Sequence, residues 1–493
     1  MTTIVNTKVG ERRGKRRFYV EGKKLEREGI SIGQRYDLSA ENGRLVLKIG
    51  TEGKYTVSRK IKGNAYIPVI DLSAQQVAEL FDGVQMVRAV IREGSIIVSA
   101  HHQQQMVEER VSRLMEKVVN NKPLDVISLF HGGGVIDHAL HTGMELSGVK
   151  MRASAVVELE PAYMEASLSN NQIWDKDTIA IESGIQHVDM SRSNISADII
   201  IGGIPCSGAS RSGKSANKLK YAEDHSEAGA MFFYFLEFVR KTNPSIVLIE
   251  NVPEYQQTAS MAAIRSVLKS FRYSISERVL DGNEFGALER RKRLCVVAVS
   301  EGLEEFDIEQ VEPLIGKPET IGDILEDLPL DSPRWKTFDY IIEKAKRDKL
   351  AGKGFQRQMR DENDTHCGTI GRGYAKCRSY EPFLKHPVDP ALSRIFTPLE
   401  HARLKGVPEK LVQGLSDTIS HQILGQSVIW PVFAAVGESL ATHLRRCAGE
   451  QGLPKRHLKK ESVEETPEPE PKPQCEEVKP AGETSQFDFG FAA

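Results

Sequence analysis

From Arg16 to Ala100 the apolar residues come in short runs, RRFYV, GQRYDL, NGRLVLKI, AYIPVI, MVRAVI and GSIIVSA, broken by Gly and Asn-Gly. Runs rich in Val, Ile and Tyr predict a small β-rich domain, with Asn42-Gly43 as a hairpin turn. From Gln103 to Asn120, Val107, Val111, Leu114, Met115 and Val118 recur at helical spacing, which predicts a helix joining two domains. The texture then changes to DVISLF, ASAVVELE, DIIIGGIP, SIVLIENV and RLCVVAV, separated by helix-like segments such as HSEAGAMFFYFLEFVRK. Buried apolar strands alternating with helices predict an α/β domain with a mostly parallel sheet covered on both faces. From about Leu303 to Pro390 that rhythm is lost, and basic and aromatic residues mix with Gly, as expected of a second, irregular domain. Past Gly449 a Pro- and Glu-rich tail has almost nothing to bury, so disorder is expected there.

Charge refines this picture. The 493 residues hold 66 Lys+Arg and 68 Asp+Glu, a net -2 that excludes a uniformly basic protein. The sum hides blocks: 16 basic against 7 acidic residues over 1–63, 13 against 7 over 334–386, and 6 against 10 over 447–493. Two basic segments suit a polyanionic partner. No window approaches 18 uninterrupted apolar residues and the start lacks the apolar core of a signal peptide, so a cytoplasmic chain with no membrane contact is expected. Six cysteines contain no Cys-x-x-Cys pair, and the spacing of His366, Cys367, Cys377 and His386 is poor for zinc. No metal is expected, and a cysteine that matters should act as a thiol.

Candidate chemistry sits where strands end. DVISLF runs into His131-Gly132-Gly133-Gly134, where a backbone turns tightly and a ligand can approach the head of the next helix. ASAVVE ends in Glu158, placed for ribose hydroxyls, and Asp189 follows a further strand-like stretch, within reach of an adenine amino group. IIIGGIPCSGAS sets Cys206 just beyond a buried strand in a loop of small residues, the place for an accessible thiolate. SIVLIENV ends in Glu250-Asn251, and Gly286 to Arg293 brings guanidinium groups ahead of LCVVAV.

Gly-rich turn, Pro-Cys, Glu-Asn-Val and Arg-x-Arg, followed by SRIFTPLEHARLKGVP and GQSVIWPVF, resemble in order the motifs of DNA cytosine-5 methyltransferases. The resemblance covers Asp125 to about Arg446. It implies a Rossmann-like S-adenosylmethionine-dependent domain with a smaller target-recognition domain, beside the N-terminal β-rich domain. The implied boundaries are 1–105 for a DNA-contacting domain, 106–122 for the linker helix, and 123–302 with 393–448 for the catalytic domain. Residues 303–392 would be the recognition domain and 449–493 the tail. The stretch FYVEGKKLEREGISIGQRYDLSAENGRLVLKI also resembles swapped-hairpin DNA-binding modules of the AbrB type, with Tyr66 to Ala100 as a degenerate second copy.

The methyltransferase resemblance implies roles. Carbon 5 of cytosine is a poor nucleophile until a thiolate adds at carbon 6; Cys206 would add there. Glu250 would serve ring nitrogen 3, and Arg291, secondarily Arg293, would hold the carbonyl oxygen. S-adenosylmethionine would lie against Phe130, Gly132 and Gly134, with its ribose on Glu158, its adenine near Asp189, and Ser427 and Val428 closing the site. Double-stranded DNA would be gripped by Arg211 and Lys214 in the catalytic loop, and its base edges read by Arg372, Tyr374, Lys376 and Arg378. The target base must be flipped out. Departures from the family pattern are Ser128 for an acid, His131 for Cys or Ser, Leu288 for Pro, Glu289 for Gln and Gln426 for Asn; Ser128 and Gln426 bear on donor affinity. A monomeric enzyme of a restriction-modification kind is the leading expectation. The alternatives are a regulator binding an operator through Arg12 to Arg17, and a cytosine-5 methyltransferase acting on RNA.

Overall fold

The computed structural model describes residues 1–12, 14–190, 195–205, 222–225, 228–352, 355 and 357–450. The tail beyond Glu450, where disorder was expected, lies outside them. The chain divides into two units, Met1–Ser112 and Arg113–Ala493, and the helix His102–Val119 runs across the division.

In the first unit one order of elements occurs twice. Strand Lys15–Glu21, the short helix Lys23–Glu26 and the hairpin Arg35–Glu41/Arg44–Gly50 form one copy; Ala65–Leu72, Gln75–Leu80 and Met86–Arg92/Ser95–Ala100 form the other. Asn42 and Gly43 both take positive φ, 50° and 71°, as the two-residue turn of a tight hairpin requires. The copies interleave, since Phe18 pairs with Leu72 in one sheet and Val46 with Ile97 in the other. Among the described residues these sheets have four and six strands. Phe18, Leu47, Ile70, Val87, Ile91 and Ile96 belong to one shared core, so neither copy closes its apolar face alone.

The second unit is built on a sheet whose strands are β1 Leu124–Leu129, β2 Met151–Glu158, β3 Ile179–Glu182, β4 Ile199–Gly203, β5 Ile246–Asn251, β6 Tyr273–Asp281 and β7 Lys292–Ser300. Among the described residues the order is β3-β2-β1-β4-β5-β7-β6, with β1 to β5 parallel and β7 antiparallel to both neighbours. Ile199 to Ile201 and Ile246 to Ile249 are buried without alternation because helices cover both faces. The order reverses between β1 and β4. In an open parallel sheet that point leaves a crevice at the carboxyl ends of the strands.

The last helix, Trp430–Cys447, lies against Val135–Leu146, the helix that follows the Gly-rich turn. A Cβ on Gly143 would sit 2.0 Å from the Ala434 carbonyl oxygen, and one on Gly437 2.7 Å from that of Leu140. Side chains at either position would push the helices apart. Their contact carries Gln426, Ser427 and Val428 back to the first strand, and the Gln426 amide nitrogen lies 3.5 Å from the Cβ position of Gly132.

Between Glu301 and Arg394 the described residues form the helix Asp339–Leu350, turns, and a small sheet of Gln358–Arg360, Pro382–Lys385 and Ser393–Arg394. Ile321, Ile370, Tyr374, Phe396 and Leu404 pack in its own core. Among the described residues no single helix is long and apolar enough to cross a membrane.

Candidate active site

At the crevice, the parallel register sets Gly203, the last residue of β4, beside Glu250 near the end of β5. On the other side β7 runs antiparallel with Cys295 opposite Glu250, which puts Arg293, two residues earlier, on the same face as the carboxylate. Arg293 Nε and Glu250 Oε1 are 2.8 Å apart, with both side chains largely buried. A charge-assisted contact in such a place is stronger than at the surface. The other oxygen, Glu250 Oε2, is 3.7 Å from the Cβ position of Gly203, and the Phe130 carbonyl oxygen is 3.7 Å from the same point. Ends of β1, β4, β5 and β7 thus meet at one place. A cleft of about 670 Å³ beside it is lined by Pro253, Glu254, Asp281, Arg290, Lys292 and Arg293.

Asn251, not singled out as a site residue in the sequence, secures this corner. It is buried, its amide donates to the Ile204 carbonyl at 3.0 Å, and its own carbonyl accepts Val252 N–H at 2.9 Å. It therefore fixes the segment from which Pro205 and Cys206 follow. Cys206 itself, with Arg211 and Lys214, lies outside the described residues. The described cysteines are poor rivals for a nucleophile. Burial pushes the thiols of Cys295, Cys367, Cys377 and Cys447 up, keeping them protonated at neutral pH.

Two positions differ from expectation. Arg291, ranked ahead of Arg293, is 3% exposed and turned into the protein; its guanidinium donates to the Ile370 carbonyl at 3.1 Å and the Gly425 carbonyl at 3.0 Å. It lies 3.5 Å from Glu289, whose second oxygen accepts Lys405 Nζ at 3.2 Å. That buried cluster ties the start of β7 to Ile370 in the irregular segment and to Lys405 and Gly425 in the C-terminal part. Arg293, two residues on, is the guanidinium at the crevice. Tyr374, expected at base edges, is fully buried: its hydroxyl donates to the Pro382 carbonyl at 2.7 Å and accepts Phe396 N–H at 3.0 Å. Its ring packs edge-on against His401 and His421, whose Nδ1 atoms are 3.1 Å apart. A side chain so engaged belongs to the core it shares with Ile321, Ile370, Phe396 and Leu404 and is not free to meet a base edge. Lys376 and Arg378 are exposed, and Arg378 donates to the Tyr380 hydroxyl at 2.9 Å. Arg372 is exposed as well, yet points at the catalytic sheet, 3.9 Å from Glu160 and over the Tyr163 ring.

The Gly-rich turn leaves β1 with positive φ at Phe130 (58°), Gly132 (59°) and Gly134 (73°). For Phe130 this backbone shape costs free energy, which the surrounding packing must offset. Glu158, at the end of β2, accepts Gly132 N–H at 2.6 Å with one oxygen and Glu160 N–H at 2.9 Å with the other. The acid and the turn are thus one assembly. Ser427 caps the preceding helix through the Leu424 carbonyl, and Val428 is buried beside it. Asp189 is exposed, past the turn Ile185–His187.

Beneath the turn lies a group the sequence did not reveal. Asp137, in the first turn of the following helix, is 1% exposed; its Oδ2 accepts Ser128 Oγ at 2.9 Å and lies 2.9 Å from His131 Nδ1. His131 Nε2 meets Ser167 Oγ at 2.8 Å. A Cβ on Gly134 would fall 2.6 Å from His131 Nε2, so glycine there makes room for the imidazole. Asp137 thus sets a buried carboxylate beside Ser128, at the root of the Gly-rich turn.

The comparisons fit these features. The family model described as C-5 cytosine-specific DNA methylase matches residues 124–442. Type II methyltransferase M1.ScrFI of Lactococcus lactis subsp. cremoris is 26% identical over 258 residues, covering 50% of this chain and 63% of its own length. Type II methyltransferase M.SsoII of Shigella sonnei is 28% identical over 255 residues, 50% of this chain and 64% of its own. The chain therefore spans a little under two thirds of the length of these relatives. Among solved structures, the S. pombe Dnmt2 methyltransferase shares the fold with a TM-score of 0.53 at 19% identity, over 66% of this chain and 99% of that one. With well over half of its length matched, from the first strand of the sheet to the last helix, the chain belongs to the C-5 cytosine-specific DNA methylase family.

Proposed function

We propose that this protein transfers a methyl group from S-adenosylmethionine to carbon 5 of a flipped-out cytosine in duplex DNA, at a specific sequence, through a covalent adduct with Cys206. The observation that carries this reading is the Glu250–Arg293 pair beside Gly203, three residues ahead of Cys206 in the chain. In this scheme the Cys206 thiolate forms a bond to carbon 6. Glu250 shares a proton with ring nitrogen 3, and Arg293 faces the carbonyl oxygen where negative charge develops. Carbon 5 then takes the methyl group and the sulfonium donor leaves as a neutral thioether; loss of the carbon 5 proton to a solvent base, with expulsion of the thiolate, restores the ring. We assign the carbonyl oxygen to Arg293, which contacts Glu250, and a positioning role to Arg291, which donates to the Ile370 and Gly425 carbonyls.

S-adenosylmethionine would supply an electrophilic methyl group. The residues present suit it: a turn of positive φ backed by Glu158, with Gln426 returned against it. Phe130, Gly132, Gly134, Glu158, Asp189, Ser427 and Val428 would hold the donor. Lys376 and Arg378 remain candidates for DNA contact, whereas Arg372 would bridge recognition and donor sides. The duplicated N-terminal unit fits a resemblance to swapped-hairpin DNA-binding modules.

The test is incorporation of labelled methyl groups into duplex DNA of diverse sequence at low salt, with bisulfite sequencing of the product. Labelled cytosines are expected with the wild-type chain and none with Cys206→Ala. Label retained by that variant, or none with either protein, refutes the proposal. A second expectation concerns the donor. Removing the buried carboxylate in Asp137→Ala strips a charge-assisted network worth about 2 kcal/mol, and should raise KM for the donor roughly 10- to 100-fold with a smaller change in kcat. Ser128→Asp in that background should recover part of the loss. Equal donor KM in wild type and Asp137→Ala would show that the network does not support the turn.

A further inference from the structure

The N-terminal unit lies outside the residues that the family model matches, and two groups of its basic residues differ in how they are engaged. One is the cluster Arg12 and Arg17, Lys60 and Lys62. These cations are already engaged: Arg12 and Arg17 contact Asp71 at 3.0 and 2.6 Å, and Lys60 and Lys62 contact Glu21 at 2.7 and 3.5 Å. The other is the outer face of the six-stranded sheet. Along Met86–Arg92, Val87, Ala89 and Ile91 are buried while Arg88 and Arg92 are exposed; along Arg44–Gly50, Leu45 and Leu47 are buried while Arg44 and Lys48 are exposed. Alternation therefore points all four cations to one face.

The register arranges them. Arg92 and Lys48 both lie opposite Ser95, on strands either side of it, and Arg88 lies opposite Ser99 with Arg44 two residues beyond Val46. Half-buried Val90, Ile97 and Val46 form the row between. Four residues along a strand separate the two cation levels by about 13 Å, and two strand steps separate the cations within a level by about 10 Å. Among the described residues none of the four makes an ion pair, and the three central strands present no acid on this face. Asp37 and Glu41 stand on the next strand, opposite Lys48 and Arg44, where they also accept Lys54 N–H and the Ser39 hydroxyl.

We infer that this sheet face binds the sugar-phosphate backbone of duplex DNA, giving the enzyme a second, sequence-independent hold on its substrate. The inference rests on the reading of the chain as DNA-acting. Charge complementarity selects a polyanion, and Arg, Lys and Ser are among the side chains that contact phosphate oxygens. A duplex is favoured over a single strand because the three central strands offer no outward aromatic ring on which unpaired bases would stack.

The test uses the full chain with Arg44, Lys48, Arg88 and Arg92 all changed to Ala, and as a milder form Arg88→Ala with Arg92→Ala alone. Binding to duplex oligonucleotides is measured by fluorescence anisotropy across a salt series, alongside methyl transfer at saturating DNA. Loss of four phosphate contacts should weaken binding about 10- to 100-fold near 0.1 M salt and lower the slope of log K against log salt by about 3 to 4. Transfer at saturating DNA should stay unchanged. Arg12→Ala with Arg17→Ala should alter binding by less than about threefold, as expected of engaged cations. Unchanged affinity and slope in a variant whose wild type binds and methylates DNA would overturn this inference alone. A wild type that does neither would overturn the reading beneath it. A change of oligomeric state in the variants at constant DNA affinity would instead assign the face to a second copy of the chain, and a loss confined to single-stranded RNA would assign it to that ligand; either result overturns the proposal.

Discussion

Glu250→Gln is expected to lower kcat for methyl transfer about 100- to 1,000-fold, equivalent to roughly 3–4 kcal/mol of transition-state stabilisation, with DNA affinity changed less than about threefold. The substitution keeps the size of the side chain and an oxygen to accept from Arg293 Nε, now 2.8 Å away, while removing the carboxylate proposed to share a proton with nitrogen 3. Arg293→Ala should cost a similar factor, since it removes the positive charge from the crevice and leaves a largely buried carboxylate without its partner. The two losses should not add. Each breaks the same pair, so the double variant should fall well short of the product of the single effects. Single-turnover methylation of a short duplex measures this directly. A Glu250→Gln enzyme within threefold of wild type would remove Glu250 from the chemistry, and strict additivity would mean that the two residues act apart.

The legible parts of this fold are those where burial leaves a continuous mark. β1, β4 and β5 show as apolar runs because helices cover both faces, and the motif residues are readable because they follow those runs directly. β6 was not legible: it is an edge strand of mostly half-buried residues, YSISERVLD, with no long apolar run or clean alternation. The irregular segment before Pro390 hides its structure for another reason. Three-residue strands and single turns carry no period, so an aromatic among basic residues, Tyr374, reads as a surface side chain when it is a core one.

The arginines show a further limit. Arg291 and Arg293 have the same parity, which in a regular strand would put both on one face, but β7 begins only at Lys292. Before it the backbone bonds elsewhere: Arg290 N–H donates to the Cys367 carbonyl, and Leu288 and Glu289 N–H both donate to the Leu404 carbonyl. Tertiary pairing thus turns Arg291 inward. Asp137 escaped notice because an acid in the first turn of a helix is ordinary on dipole grounds. Only the fold shows that it occupies the space below Ser128.

The buried cluster around Arg291 should dominate stability. Glu289 and Lys405 are fully buried, and Glu289 stands between two cations, Lys405 Nζ at 3.2 Å and Arg291 Nη1 at 3.5 Å, while also accepting Ile370 N–H at 3.2 Å. Removing one member of such a set leaves the others charged and unpaired, at a cost of about 3–5 kcal/mol. Glu289→Ala is therefore expected to destabilise the protein by that amount at pH 7, and Glu289→Gln by much less, since the amide keeps an acceptor for the two cations. Burial, with Arg291 adding repulsion, pushes Lys405 down to about 7. Between that value and its usual range near 10.5 the unfolded chain binds more protons than the folded one, so this group adds stability as pH rises through the window. Without Glu289 the folded Lys405 sheds its proton more readily still. The defect of Glu289→Ala should accordingly be smaller at pH 9 than at pH 7. Denaturant unfolding at the two pH values tests both statements; a variant as stable as wild type at pH 7, or a defect that grows toward pH 9, would show that the cluster does not hold β7 in this way. Because the cluster anchors the chain two residues before Arg293, partial loss of activity in Glu289→Ala well below its unfolding transition is the functional counterpart of the same contact.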